Sequence, residues 1–328
     1  MRRGLMITGF LGLFIGAILA DEVRAAGQYP VKPIEFIVSV EAGADGDQIN
    51  RPVVKNLSEI LGQPVIIVNK PGGGSTYGYR ELLNAKPDGY TIGWGSAVAV
   101  GIKLLGIAPF DDRNFTLLGN YGSYIPVIVA STATKRPFTT IQELISFSKA
   151  NPGEVTMATA WTGGGWWIAA QAFLSRTGLK INAIPITGSG AMGVAQTAGG
   201  HMDVCIVALG AAKSLIEGGQ LRLLATLGEQ RLWPPYDKVP TIKELGYDMN
   251  YESPNFAIGP PNLPPAIVDR LVPAIKKAVD TPEYKKYCLE RAFRWNYMPP
   301  DQMIGMLDRQ REIVRDIFAK AGVLKESK

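Results

Sequence analysis

The chain has 328 residues, 46% hydrophobic and 19% charged, which is enough apolar material for two lobes of ordinary size, each with a buried core. Its 34 Lys and Arg against 29 Asp and Glu give a formal charge of +5, but the basic residues are scattered. That pattern suits an anionic ligand and excludes a nucleic-acid surface, where clustered Lys and Arg with aromatics are expected.

Residues 1–25 have the parts of a secretory signal peptide: a basic start at Arg2 and Arg3, an apolar run over 5–20, and the small-x-small tripeptide Val23-Arg24-Ala25. The run is short for a membrane span and is followed by Asp21 and Glu22, so cleavage near Ala25 is expected rather than retention as an anchor. Three positive and two negative charges leave with it, so the formal charge moves from +5 to +4. No later stretch is long and apolar enough to cross a bilayer, and the mature chain is expected to be exported, into the periplasm if the source is Gram-negative.

Residues 34–40 are an apolar, β-branched run that reads as a strand buried on both faces. The chain then breaks through Glu41, Ala42, Gly43, Ala44, Asp45 and Gly46 and restarts as an amphipathic helix. Asp47 stands where an N-cap is expected, and Ile49, Val53, Val54, Leu57 and Leu61 form the apolar stripe. A strand turning through small residues into a helix start leaves a concave patch of free backbone N–H groups, which favours anions.

A second strand is expected over 65–68, a Gly-rich turn at 71–75 and a helix over 77–84. A Pro-Asp-Gly-Tyr turn at 87–90 precedes a third strand over 91–94. This alternation predicts an α/β fold with a parallel sheet, whose ligands sit beyond the carboxyl ends of the strands. Residues 125–130 are a further strand, and Thr140 with Glu143 forms a capping box for a helix to Ala150. The unit over 156–177 then repeats the opening design: strand, Ala160-Trp161-Thr162-Gly163-Gly164-Gly165, helix. Strands over 181–185, 204–207 and 221–227 complete a second set. A late strand over 255–259 and helices over 263–279, 282–292 and 302–321 return the chain to the first lobe. The expected division is residues 26–126 with 255–328 for the first lobe and 127–254 for the second, a hinged clamshell.

Enzyme signatures are poor. Gly188-Ser189-Gly190-Ala191-Met192-Gly193 fits G-x-G-x-x-G, but no acid ends the next strand, and Gly72-Gly73-Gly74-Ser75 lacks the Gly-Lys ending of a phosphate loop. The single histidine, His201, reads as surface, no G-x-S-x-G elbow occurs, and no cluster suits a metal. Cys205 and Cys288 read equally as two buried thiols or as a disulfide.

The ordered set Tyr29-Pro30-x-Lys32-Pro33-Ile34, Ala42-Gly43-x-x-x-Asp47-x-x-x-Arg51, Leu61-Gly62-Gln63-Pro64-Val65, Asn69-Lys70-Pro71-Gly72-Gly73-Gly74, Pro87-Asp88-Gly89-Tyr90-Thr91, Gly199-Gly200-x-x-Asp203 and Val239-Pro240-Thr241-x-x-Glu244 spans nearly the whole mature chain. It resembles the substrate-binding proteins of tripartite tricarboxylate transporters, the TctC or Bug family. The resemblance implies a two-lobed periplasmic-binding-protein fold, type II-like, with the ligand cleft between lobes. It implies a monomeric, cofactor-free receptor that captures a small organic anion, a di- or tricarboxylate or an aromatic acid, and delivers it to membrane permease subunits driven by an ion gradient. Carried over residue by residue, the site is Val40, Glu41, Ala42, Gly43, Ala44 and Asp47 facing Thr159, Ala160, Trp161, Thr162, Gly163 and Gly164. Ser75, Ser96, Thr187 and Gly188 stand beside them, and hydroxyls orient the ligand. Glu41 and Trp161 depart from the family's small residues, which argues against a citrate-like ligand. Adjacent helical residues diverge by about 100°, so of the three tryptophans Trp161 is expected to touch ligand first, then Trp166, and Trp167 least. The alternatives are an exported enzyme acting on a small carboxylic acid, or a signalling receptor for one.

Overall fold

A computed structural model describes residues 29–186 and 190–325; the expected signal peptide, and Thr187 and Gly188, lie outside the described residues. The chain opens with β1 (Ile34–Val38), α1 (Asp45–Leu61), β2 (Val65–Asn69), α2 (Thr76–Asn84), β3 (Thr91–Ser96), α3 (Ala97–Gly101) and β4 (Thr116–Tyr124). It crosses to a second sheet through β5 (Pro126–Ser131), α4 (Ile141–Ala150), β6 (Thr156–Thr159), α5 (Gly165–Thr177), β7 (Asn182–Pro185), α6 (Gly190–Ala198), β8 (Val204–Ala208), α7 (Leu209–Glu217) and β9 (Leu221–Thr226). It then returns through β10 (Ser253–Gly259), α8 (Pro265–Val279), α9 (Pro282–Leu289), β11 (Phe293–Met298) and α10 (Pro300–Lys320).

The two sheets run β11-β4-β10-β3-β1-β2 and β7-β6-β8-β5-β9. β1 pairs parallel with β2 and β3, and β6 parallel with β7 and β8, as the alternating pattern requires. Antiparallel strands join these parallel units and make both sheets mixed: β10 runs antiparallel to β3 and β4, β11 to β4, and β5 to β8 and β9. β5 and β10 are the strands that enter a sheet on crossing from the other lobe, and each runs against its neighbours there, while β11 follows α9 within the first lobe and takes the direction of β10. The sequence pattern does not mark β4 or β11 as strands. β4 contains Gly119 and Gly122, both at φ 142°, and a Cβ on Gly122 would lie 2.3 Å from the Arg294 carbonyl. Only glycine lets the neighbouring strand approach so closely, and its absence of side chain hides the strand pattern.

Two local devices follow from the residues. Thr140 Oγ1 accepts from the Glu143 amide at 3.2 Å while Glu143 reaches back, so the capping box forms as read. Asp47, by contrast, is not the N-cap. Ala44 holds that place, and Asp47 sits in the first turn of the helix, where its carboxylate accepts from the Gly43 amide at 2.8 Å and pairs with Arg51 at 2.8 Å. It therefore ties down the turn from within the helix, near the positive end of the dipole.

α10 fastens the molecule. Its first half sends Met303 and Leu307 into the cluster of Ile37, Tyr79 and Phe256 below the first sheet. Its second half sends Val314, Ile317 and Phe318 into the core of the second, where Phe318 meets Trp167 at 5.8 Å between ring centroids. The last helix packs on the first lobe, where the sequence expects it, and its apolar stripe is long enough to reach the second core as well.

Candidate functional site

The carboxyl ends of β1, β3 and β6, the start of α1 and the start of α5 converge between the sheets on a cavity of about 90 Å³. The first-turn amides of α1 and α5 have no intrahelical acceptor, because the first bonds back into these helices are Gln48 to Ala44 at 2.9 Å and Ile168 to Gly164 at 2.9 Å. Two helix N-termini thus face one space from opposite sides, each offering N–H groups and a positive dipole end.

Of the residues expected from sequence, Val40, Glu41, Ala44, Ser75, Ser96, Ala160, Trp161 and Gly164 line this cavity. Ala42 and Gly43 form the exposed turn in front of it, and Asp47 is fully buried behind it. Thr159 is buried with its hydroxyl donating to the Ala160 carbonyl at 3.1 Å, and Thr162 is exposed. Gly163 packs away from the space: at φ 93° it holds the loop turn, and a Cβ there would lie 2.5 Å from Leu105. Those six support the two loops without lining the cavity.

The walls also include residues that sequence reasoning missed: Asp45, Gly46, Trp94, Tyr124, Ser253 and Asn255, together with Trp166. Trp94 Nε1 donates to Asn255 Oδ1 at 2.9 Å, and a Cβ on Gly46 would lie 2.4 Å from the Trp94 ring, so glycine there is what admits the indole. Tyr124 donates to the Asp45 carbonyl at 2.8 Å and meets Trp166 edge-on at 5.7 Å. No local signal marks Tyr124, Ser253 or Asn255, because they reach the cleft only where the chain crosses between sheets. Asp45 does carry a local signal, an acid in the turn that opens α1, but the N-cap pattern points two residues further on, to Asp47.

Of the three tryptophans that line the cavity, Trp161 and Trp166 reach across from the second lobe. Trp161 packs against the apolar cluster under the first sheet, and a Cβ on Gly74 would lie 3.2 Å from its ring. Trp166 Nε1 donates to Asp45 Oδ2 at 3.0 Å, a hydrogen bond between the two lobes. Trp167 is buried in the second core, as the helical geometry predicts. A neighbouring cavity of about 90 Å³, bounded by Ser39, Pro71, Gly72 and Gly74, shares Val40, Glu41, Ser75 and Trp161 with the first.

Burial raises the Asp45 carboxyl from 3.8 to about 6, against the opposing pull of the Trp166 hydrogen bond and the Arg291 charge. His201 is exposed and does not line the cavity, and among the described residues no cluster of three or more His, Cys, Asp or Glu could hold a metal.

Residues 49–322 match the family described as the tripartite tricarboxylate transporter family receptor, TctC. The chain is 31% identical over 307 residues to the UPF0065 protein in the gbd 5′ region of Cupriavidus necator, covering 92% of this chain and 90% of that one. It is 30% identical over 321 residues to protein BugT of Bordetella pertussis, covering 97% and 96%. Among solved structures, R. palustris Rpa4515 with adipate superposes with a TM-score of 0.83 at 23% identity, over 90% of this chain and 99% of that one, a likeness of fold. The chain belongs to the tripartite tricarboxylate transporter receptor family, whose members are periplasmic solute-binding receptors and not enzymes.

Proposed function

We propose that this receptor is exported to the periplasm, closes its two lobes on one small organic carboxylate, and delivers it as a monomer to the membrane permease of a tripartite transporter. In this reading residues 26–126 and 255–328 make the first lobe and 127–254 the second, with α10 fastened to both. The observation that carries it is the pair of helix N-termini, α1 and α5, opening on one cavity from opposite lobes. A carboxylate held there would satisfy amides from both sides at once, so binding would favour the closed form in a population shift. A protein of the same fold solved with adipate supports a carboxylate as cargo.

Gly165 gives a test that spares the fold. It is the first residue of α5, lines the cavity, and a Cβ there would find only Ser253 Oγ, at 3.7 Å. Gly165→Val should melt within a few degrees of the wild type. In calorimetry against a panel of small mono-, di- and tricarboxylates and amino acids, its affinity for whichever acid the wild type binds should fall at least ten-fold. Unchanged affinity would sink the two-jaw site.

A further inference from the structure

The cavity has an anion-binding frame but an unusual lining. Trp94, Tyr124, Trp161 and Trp166 supply aromatic walls, while Asp45 and Glu41 supply two carboxylates; among the described residues no Lys, Arg or His lines it. A dicarboxylate enclosed here would bring at least one anionic end toward Asp45 and Glu41, a like-charge juxtaposition. Aromatic walls beside carboxylates are instead the chemistry that holds a positively charged nitrogen, through the ring quadrupole and direct charge attraction.

We infer that the ligand is a small zwitterion, with its carboxylate on the amides of α1 and α5 and a cationic nitrogen, quaternary or protonated, against the tryptophans, Asp45 and Glu41. This rests on the receptor reading above and narrows its substrate class. Asp45 keeps acceptor capacity for such a cation, since Trp166 takes one position on Oδ2 and an ionised carboxylate offers about four. Arg291, the cation whose charge reaches Asp45, stacks on Tyr287 with its guanidinium 3.9 Å from the ring centroid, and does not line the cavity.

The charge can be tested at constant shape. Replacing the nitrogen by carbon turns glycine betaine into 3,3-dimethylbutanoate and L-alanine into isobutyrate, keeping the carboxylate in each pair. Calorimetry on the mature protein would measure these four with adipate and malate, and repeat them on Asp45→Asn and Glu41→Gln. The cationic member of at least one pair should bind ten-fold or more tighter than its isostere, and that preference should shrink several-fold in Asp45→Asn. Equal or reversed affinities in both pairs would overturn the inference, as would a preference that survives unchanged in both variants. Binding of adipate or malate with none of the four would overturn it while leaving the carboxylate receptor standing. Binding of none of the six acids would count against both.

Discussion

Asp45 is the residue on which the site turns. It follows the N-cap of α1, lines the cavity, and accepts the hydrogen bond from Trp166 that ties the lobes together. Its folded carboxyl titrates at about 6 against 3.8, so between those values the native state holds a proton that the unfolded chain has released. Stability on this account falls as pH rises from about 4 to about 6, and the penalty is fully present above the folded value. The groups acting on it are Trp166 and Arg291, with Tyr124 hydrogen-bonded to its carbonyl. Asp45→Asn removes the titration and keeps an acceptor for Trp166. Its ligand-free stability should therefore gain on the wild type as pH rises from about 4 to about 6, the gain levelling near neutrality at about 1–2 kcal/mol once partial solvent access is discounted, and showing as a rising melting temperature relative to the wild type. Parallel melting curves from pH 4 to pH 8 would remove Asp45 from this role.

At the scale of elements, α10 is unusual in serving two cores. Helices with one apolar stripe commonly pack on one partner, whereas here the stripe passes from Met303 and Leu307 to Val314, Ile317 and Phe318, and so from one lobe to the other. An ion pair from Arg176 on α5 to Asp316, 3.3 Å, borders the second contact. Removing the Phe318 ring would leave a cavity between Trp167 and α3. Phe318→Ala should cost about 3–5 kcal/mol in denaturant unfolding, and change Trp167 emission as its packing loosens. A loss below about 1 kcal/mol would mean that α10 is held mainly by its first half.

For the whole molecule, lobe architecture answers the cysteine question. Cys205 lies on β8 in the second sheet and Cys288 on α9 against the first, in separate core clusters, and both are free and buried. A bridge would have to join these two clusters, and both thiols are free. Burial pushes both thiols up to about 12, so neither is a ready nucleophile. Reducing agent should leave the melting temperature unchanged, and thiol reagents should react only on unfolding. A drop in melting temperature on reduction would show that a bridge does form.

The local units of this protein were legible in its sequence because their causes are local. The buried run before Glu41, the α1 stripe from Ile49 to Leu61, the Thr140–Glu143 cap and the matching Trp161 loop each depend on residues within a few positions of one another. The family too could be read there, since its motifs are turns and caps at set spacing. What tertiary structure alone decided is how distant pieces meet. Strands that return from the other lobe run antiparallel. Gly119 and Gly122 make a strand of β4 by admitting a neighbour rather than by patterning. Trp94, Tyr124, Asn255 and Asp45 come together only at the crossing between sheets. Backbone propensity and capping act over one turn, whereas the lining of a cleft is set by which chain segments pack across it, and no spacing along the chain records that.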